Sequence, residues 1–259
     1  MQPVYRSTDT GAPALSNTNG SLVAVLDAVL INGYAAKAGL GWSIAHTATN
    51  KRVYQQGAGS GFSLRVDDSL NVYNARVRGG ESFSGIDTYS GGFPTAAQYA
   101  DPGMYMQKTS NSAGDRSWVA WGDAKRFVIF VDVHGTGANW NAFFFGDFVS
   151  FKAGDAYACA IIGKDQTRTD SNSSHLGVVG QHLYANAVAH YVARGYTGAG
   201  SAVQLGTYSD GRNSGGRSGS GSPGAGVLVY PDPISGGLHL SRIFLSENAS
   251  GYAPRGYLP

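Results

Sequence analysis

"FFFGDFVSF", residues 143–151, places five phenylalanines in nine positions, three of them consecutive. Successive side chains of a strand point to opposite faces, so Phe143, Phe144 and Phe145 put rings on both sides of whatever sheet this segment joins. Upstream, "RSWVAWGDAKRFVIFVDVHG" (116–135) reads as a hairpin: a strand from Trp118 to Trp121, the turn Gly122-Asp123-Ala124-Lys125, and a long strand from Arg126 to Val133. That second strand is apolar on both faces, with Phe127, Ile129 and Val131 alternating against Val128 and Phe130, which predicts burial on both sides. Strands 126–133 and 143–151 are expected to pair or lie adjacent in one sheet. Phe130→Asp is then expected to prevent folding, by placing an unpaired charge in the core.

The same pattern continues outward in both directions. "GFSLRVDDS" alternates Phe62, Leu64 and Val66, "NVYNARVRG" sets Tyr73, Ala75 and Val77 opposite Val72, and "DDS" between them has turn composition. Downstream of Phe151, a break at Lys152-Ala153-Gly154-Asp155 precedes a further strand in "AYACAIIG". Helical periodicity stands out in one place, where Leu22, Val25, Leu26, Val29 and Leu30 recur at the spacing of one helix face, with Asn19 or Ser21 to cap the start and Asn32-Gly33 the end. "LYANAVAHYVARGY" (183–196) reads as a second, loosely periodic helix.

Composition agrees with many short strands joined by tight turns. Of 259 residues 38 are glycine, about twice the ordinary share of ~7%, and charged residues make up 14% against a usual ~25%. With 42% hydrophobic and 12% aromatic residues the chain has ample material for a core. The expected fold is mainly β, with antiparallel sandwich-like or barrel-like sheets, glycine-rich turns and one or two short helices. Four segments are expected: an N-terminal arm (1–18), a main β-rich domain (19–163), a second β-rich lobe (164–246) carrying a flexible loop at 210–226, and a C-terminal arm (247–259). Trimming that glycine-rich loop is expected to leave stability nearly unchanged.

Several function classes are excluded on these grounds. No apolar run approaches the roughly 20 residues of a spanning helix, since Gly146 and Asp147 interrupt the richest one. The N-terminus shows no basic and apolar signal regions, so the chain is expected to be cytoplasmic when made. A net charge of +2, from 19 basic residues scattered among 17 acidic ones, gives no nucleic-acid footprint. Cys159 stands alone and reads as a small buried side chain. Gly219, Gly221 and Gly224 match a dinucleotide pattern without a strand before or a helix after, and no Walker lysine, GxSxG, HExxH or CxxC motif occurs. Asp132 and His134 sit two apart at a strand end, where they could hold a metal given a third ligand or form an acid/base pair; a plain hydrogen-bonded strand end is the preferred reading. No enzyme, cofactor or metal is therefore expected.

Four stretches in order, "GSLVAVLDAVLINGYAAKAGLGWSIAHTATNKRVYQQGAGSGFSLRVDD" (20–68), "ARVRGGESFSGIDTYSGGFPTAAQ" (75–98), "RSWVAWGDAKRFVIFVD" (116–132) and "FFFGDFVSFKAGDAYACAIIG" (143–163), resemble a family of uncharacterised virion structural proteins of tailed bacteriophages. The likeness returns over "YPDPISGGLHLSRIFLSE" (230–247) and "PRGYLP" (254–259). It implies a particle component in the tail tip or baseplate rather than on the head, assembling symmetrically with its own copies and other phage structural proteins, and it brings no catalytic residues. A permanent assembly interface is aromatic and poor in charge. Candidate contacts are accordingly Phe143, Phe144, Phe145 and Phe148, with Tyr5, Tyr252, Tyr257 and Leu258 as anchors on the two arms. The alternatives are a head-associated or decoration protein, and a receptor-binding or carbohydrate-binding module contacting the host surface. For the latter, "HGTGANWN" (134–141) is the one candidate loop.

Overall fold

The computed structural model describes residues 3–70, 72–109, 114–137, 140–164, 188–209, 229–231, 238–240, 243–247 and 253–258. The chain opens with β1 (Val4–Arg6) and the helix α1 (Ser21–Leu26), which widens into a π-helical segment, Asp27–Asn32. Strands β2 (Ser43–Ala48), β3 (Lys51–Gln55), β4 (Ser63–Asp67) and β5 (Asn74–Gly80) follow, then the small hairpin β6 (Ser82–Gly85) and β7 (Thr88–Ser90), and β8 (Met104–Gln107). The expected hairpin is β9 (Trp118–Asp123) and β10 (Arg126–Asp132), and the phenylalanine segment forms β11 (Trp140–Asp147) and β12 (Val149–Ser150). β13 (Cys159–Lys164), β14 (Val188–Val192), β15 (Val203–Ser209), β16 (Val229–Pro231), β17 (Leu238–Leu240), β18 (Ile243–Glu247) and β19 (Ala253–Leu258) complete it. The fold is mainly β and its ladders are antiparallel, as expected; the described strands do not close into a barrel.

The main sheet forks at β13. Along one edge, β13 pairs first with β11, through Phe144↔Ile162 to Asp147↔Cys159, and then with β8 at Lys164↔Tyr105. Two wings leave that edge, β11-β10-β9-β1 and β8-β5-β4-β3-β2. Their inward side chains meet in one core: Phe127, Ile129, Phe143 and Phe145 from the first, Tyr54, Leu64, Val66, Val77 and Met104 from the second. Two sheet faces sharing one core make a sandwich hinged along a common strand. At the fork Asn141 Nδ2 donates to Gln107 Oε1 at 2.5 Å, tying β11 to β8.

The helix lies against this core with the predicted stripe, Leu22, Val25, Leu26, Val29 and Leu30, all buried. Gly33 ends it with a positive φ (70°) and an extended ψ, at the position anticipated for the stop. Its start differs. The N-cap is Gly20, and the Leu22 N–H is satisfied by Asp68 Oδ2 at 3.0 Å, a carboxylate from the "DDS" turn rather than Asn19 or Ser21. The turn itself falls one step later than its composition suggests, since Asp67 closes β4 and both Asp67 and Asp68 are buried.

Four further expectations are corrected. The segment read as a second helix contains β14, which pairs with β13 on one side and β15 on the other. That ladder runs continuously across the boundary drawn between residues 163 and 164. The N-terminal stretch is no free arm, because β1 pairs with β9 (Tyr5↔Ala120) and both Tyr5 and Leu15 are buried in the core. At the other end β19 pairs with both β18 and β12, and Arg255 is buried. The loop at 210–226 lies outside the described residues.

Candidate assembly face

Strands β9, β10, β11 and β13 present a second face, turned away from the core. The register aligns their outward residues in rows: Trp121, Val128, Phe144 and Ile162 form one, and Val119, Phe130 and Ala142 another. Every residue of those two rows is apolar. β-branched and aromatic side chains give these strands their propensity, and cross-strand pairs such as Val128 with Phe144 fix their register. Trp121 and Phe130 stack with centroids 5.2 Å apart and planes 14° off parallel.

Among the described residues this face is only partly covered. Phe144, Phe148, Ala160 and Val192 form a small outer cluster, against which Val128, Ile162, Val203 and Leu258 pack while still half-buried. Trp121, Phe130, Val119 and Ala142 are likewise half-buried. Beyond Leu258 the band runs into an aromatic edge on β12 and β19, where Phe151 is 51% exposed and its ring lies 5.7 Å from that of Tyr257. Tyr196, 46% exposed, carries the Lys152 ammonium over its ring at 5.1 Å. Charged and titratable residues border the two rows: Arg6 follows Val119, His190 follows Ile162, and the Asp123–Arg126 pair (3.4 Å) stands in the next row at the hairpin turn.

The predicted contact residues therefore divide. Phe143 and Phe145 point into the core, so they are not surface contacts. Phe144 and Phe148 lie on the outer side but are buried by their own chain. Tyr5 is wholly internal, its hydroxyl donating to the Ala38 carbonyl. Tyr257 and Leu258 are half-buried on β19, and Tyr252 lies outside the described residues. Trp121, Phe130 and Phe151 were not among the expected contacts, although the apolar residues at alternate outward positions of β9 and β10 carried that signal for Trp121 and Phe130.

Phe130 also corrects the expected burial of β10 on both sides, because its face is half-open. Phe130→Asp should fold and melt cooperatively, losing about 0.5–1.5 kcal/mol with the Trp121 stack plus some apolar contact. A protein unable to fold would show that this face is covered.

The other sequence candidates acquire structural roles. Asp132 Oδ2 accepts the Gly137 N–H at 2.6 Å, whereas Asp132 Oδ1 and His134 Nε2 are buried without partners. No group of three or more His, Cys, Asp or Glu side chains suited to a metal occurs among the described residues. The Trp140 indole N–H is engaged by the Gly137 carbonyl at 3.1 Å. Cys159 is buried, and desolvation pushes its thiol well above the ordinary range, as suits a packing residue.

No known family model matches the chain, and no curated protein is significantly similar to it. The outer face, rather than a named relative, is thus the guide to function. Among the described residues no helix is long and apolar enough to cross a membrane, so this apolar surface is not part of a spanning helix.

Proposed function

We propose that this protein is a structural component of a tailed-bacteriophage particle, in the tail tip or baseplate, acting by symmetric assembly with its own copies and with neighbouring virion proteins. The observation that carries assembly is the apolar outer face of β9, β10, β11 and β13. Contiguous apolar surface of that kind is uncommon on a monomer and marks an interaction site. The resemblance of residues 20–163 to virion proteins supports the phage setting. On this reading the protein is made in the bacterial cytoplasm and ends in the virion.

Mass spectrometry of gradient-purified particles from the genome that encodes the chain should find it in fixed stoichiometry with tail proteins. A nonsense mutation in its gene should yield particles without a complete tail tip. Infectious particles lacking the chain would overturn the proposal.

A further inference from the structure

We propose that the Lys108 amine and the Asp68 carboxyl condense into an isopeptide bond that staples the end of β8 to the turn after β4. The inference goes beyond the proposed function and does not depend on it.

Placement brings the two groups together. Asp68 continues the inward alternation of Leu64 and Val66, and Lys108 that of Met104 and Met106, so both side chains enter the core from strands separated only by β5. At that level β5 carries Ala75, a buried methyl that leaves room for the lysine to cross. Lys108 Nζ reaches Asp68 Oδ1 at 2.5 Å, although the residues are 40 positions apart in sequence. Both side chains are wholly withdrawn from water. Lys37 with Asp9, and Lys51 with Asp67 and Asp87, differ in this respect, since those lysines are 29% and 23% exposed. The Asp155–Arg255 pair is as deeply buried, but a guanidinium stays protonated and is no nucleophile.

The surroundings suit an amide better than two ions. Lys108 Nζ also donates to the Thr18 carbonyl at 2.8 Å, and Asp68 Oδ2 accepts the Leu22 N–H at 3.0 Å. A secondary amide has one N–H and one carbonyl oxygen, and these two partners satisfy both. An ammonium has a third hydrogen, and no other acceptor meets it among the described residues. Burial raises the Asp68 carboxyl and lowers the Lys108 amine, towards the acid and free amine that condensation consumes. Condensation then removes two buried charges at once.

The step needs no further reagent. One ammonium proton passes to Asp68 Oδ1, the freed Nζ lone pair attacks Cγ, and the charge developing on Oδ2 is met by the Leu22 N–H. A second proton follows from Nζ to Oδ1 as the Cγ–Oδ1 bond breaks, so one water leaves. The third hydrogen stays on nitrogen as the amide N–H, facing the Thr18 carbonyl. Nothing is oxidised or reduced. The fold supplies the proximity that such a step lacks between free groups in solution. Thr18 is exposed, so the water is released beside the surface. Unreacted chains keep the ion pair.

The test is the intact mass of the full chain, read after denaturation. Wild type should be lighter than its sequence by one water, and Lys108→Arg, which keeps a cation but loses the nucleophile, should have its full mass. Trypsin should release residues 66–76 joined to residues 79–116, uncleaved after Lys108. The wild-type result decides even where the variant fails to fold. A wild-type chain of full sequence mass overturns the inference. So does a one-water deficit confined to residues 66–76 with ordinary cleavage after Lys108, the pattern of a succinimide at Asp68.

Discussion

Asp68→Ala should unfold the protein or remove about 3–5 kcal/mol of stability, because it leaves a buried ammonium without its counter-charge. The Asp68 and Lys108 side chains are each 0% exposed and form an ion pair between the turn after β4 and the end of β8. Burial pushes the Asp68 carboxyl above its usual range and the Lys108 amine below its own, so each is held charged only by the other and by the groups around them. Asp68 also accepts the Leu22 N–H, and Lys108 Nζ donates to the Thr18 carbonyl at 2.8 Å. One carboxylate therefore neutralises a cation and satisfies the start of the helix. The double variant Asp68→Asn/Lys108→Met removes both charges and keeps an acceptor for Leu22, and should recover most of the loss. Urea unfolding of the three proteins checks this; a single variant as stable as wild type would show that water reaches the pair.

Arg255→Ala should cost a similar amount, about 3–5 kcal/mol, and free the C-terminal strand. Arg255 Nε and Nη2 donate to the two Asp155 oxygens at 2.9 Å each, with both side chains 1% exposed. Its Nη1 donates to the Arg194 carbonyl at 2.6 Å and Nη2 to that of Tyr157 at 3.0 Å. Burial alone would raise the Asp155 pKa, but hydrogen bonds from Arg255 and Ser150 and the Arg255 charge outweigh it and hold the carboxyl below its usual value. A carboxyl depressed in the folded state stabilises the fold above its unfolded pKa, and that contribution disappears as pH falls through the lower, folded one. Wild type should therefore lose stability on acidification below about pH 4, near the unfolded value, and Arg255→Ala should lack this component. Limited proteolysis should cut the variant near residues 247–259 and spare the wild type. Equal cleavage of both would mean that β19 is not anchored by this residue.

What could be read from sequence followed from local periodicity. The helix stripe from Leu22 to Leu30, the alternation of Phe127, Ile129 and Val131, and the hairpin at Asp123 are properties of neighbouring residues, and each appears where expected. Features set by distant partners were not legible. Val188–Val192 is a strand because β13 and β15 flank it, although its own spacing resembles a helix. Tyr5 was read as an arm anchor and Arg255 was not singled out, because their partners, Ala120 and Asp155, lie a hundred or more positions away. The outer face was half legible: phenylalanines on both sides of β11 pointed to a second apolar surface, but alternation cannot tell which of Phe143 and Phe144 turns to the core.

The strands that close this sheet come from the ends of the chain. β1 needs β9, and β19 needs β12, so each closing pair waits for residues roughly a hundred positions apart to meet. Non-local pairings of this kind are slow to form, since the entropy of closing long loops is lost before the contacts are gained. While they are pending, the aromatic surface of β9, β10 and β11 stands beside unpaired strand edges, open to any similar chain nearby. The order of events in the cell thus matters as much as the final contacts: a copy that meets its neighbour before β1 and β19 are in place risks exchanging strands with it, and maturation to an assembly-ready subunit is complete only when both strands have joined the sheet.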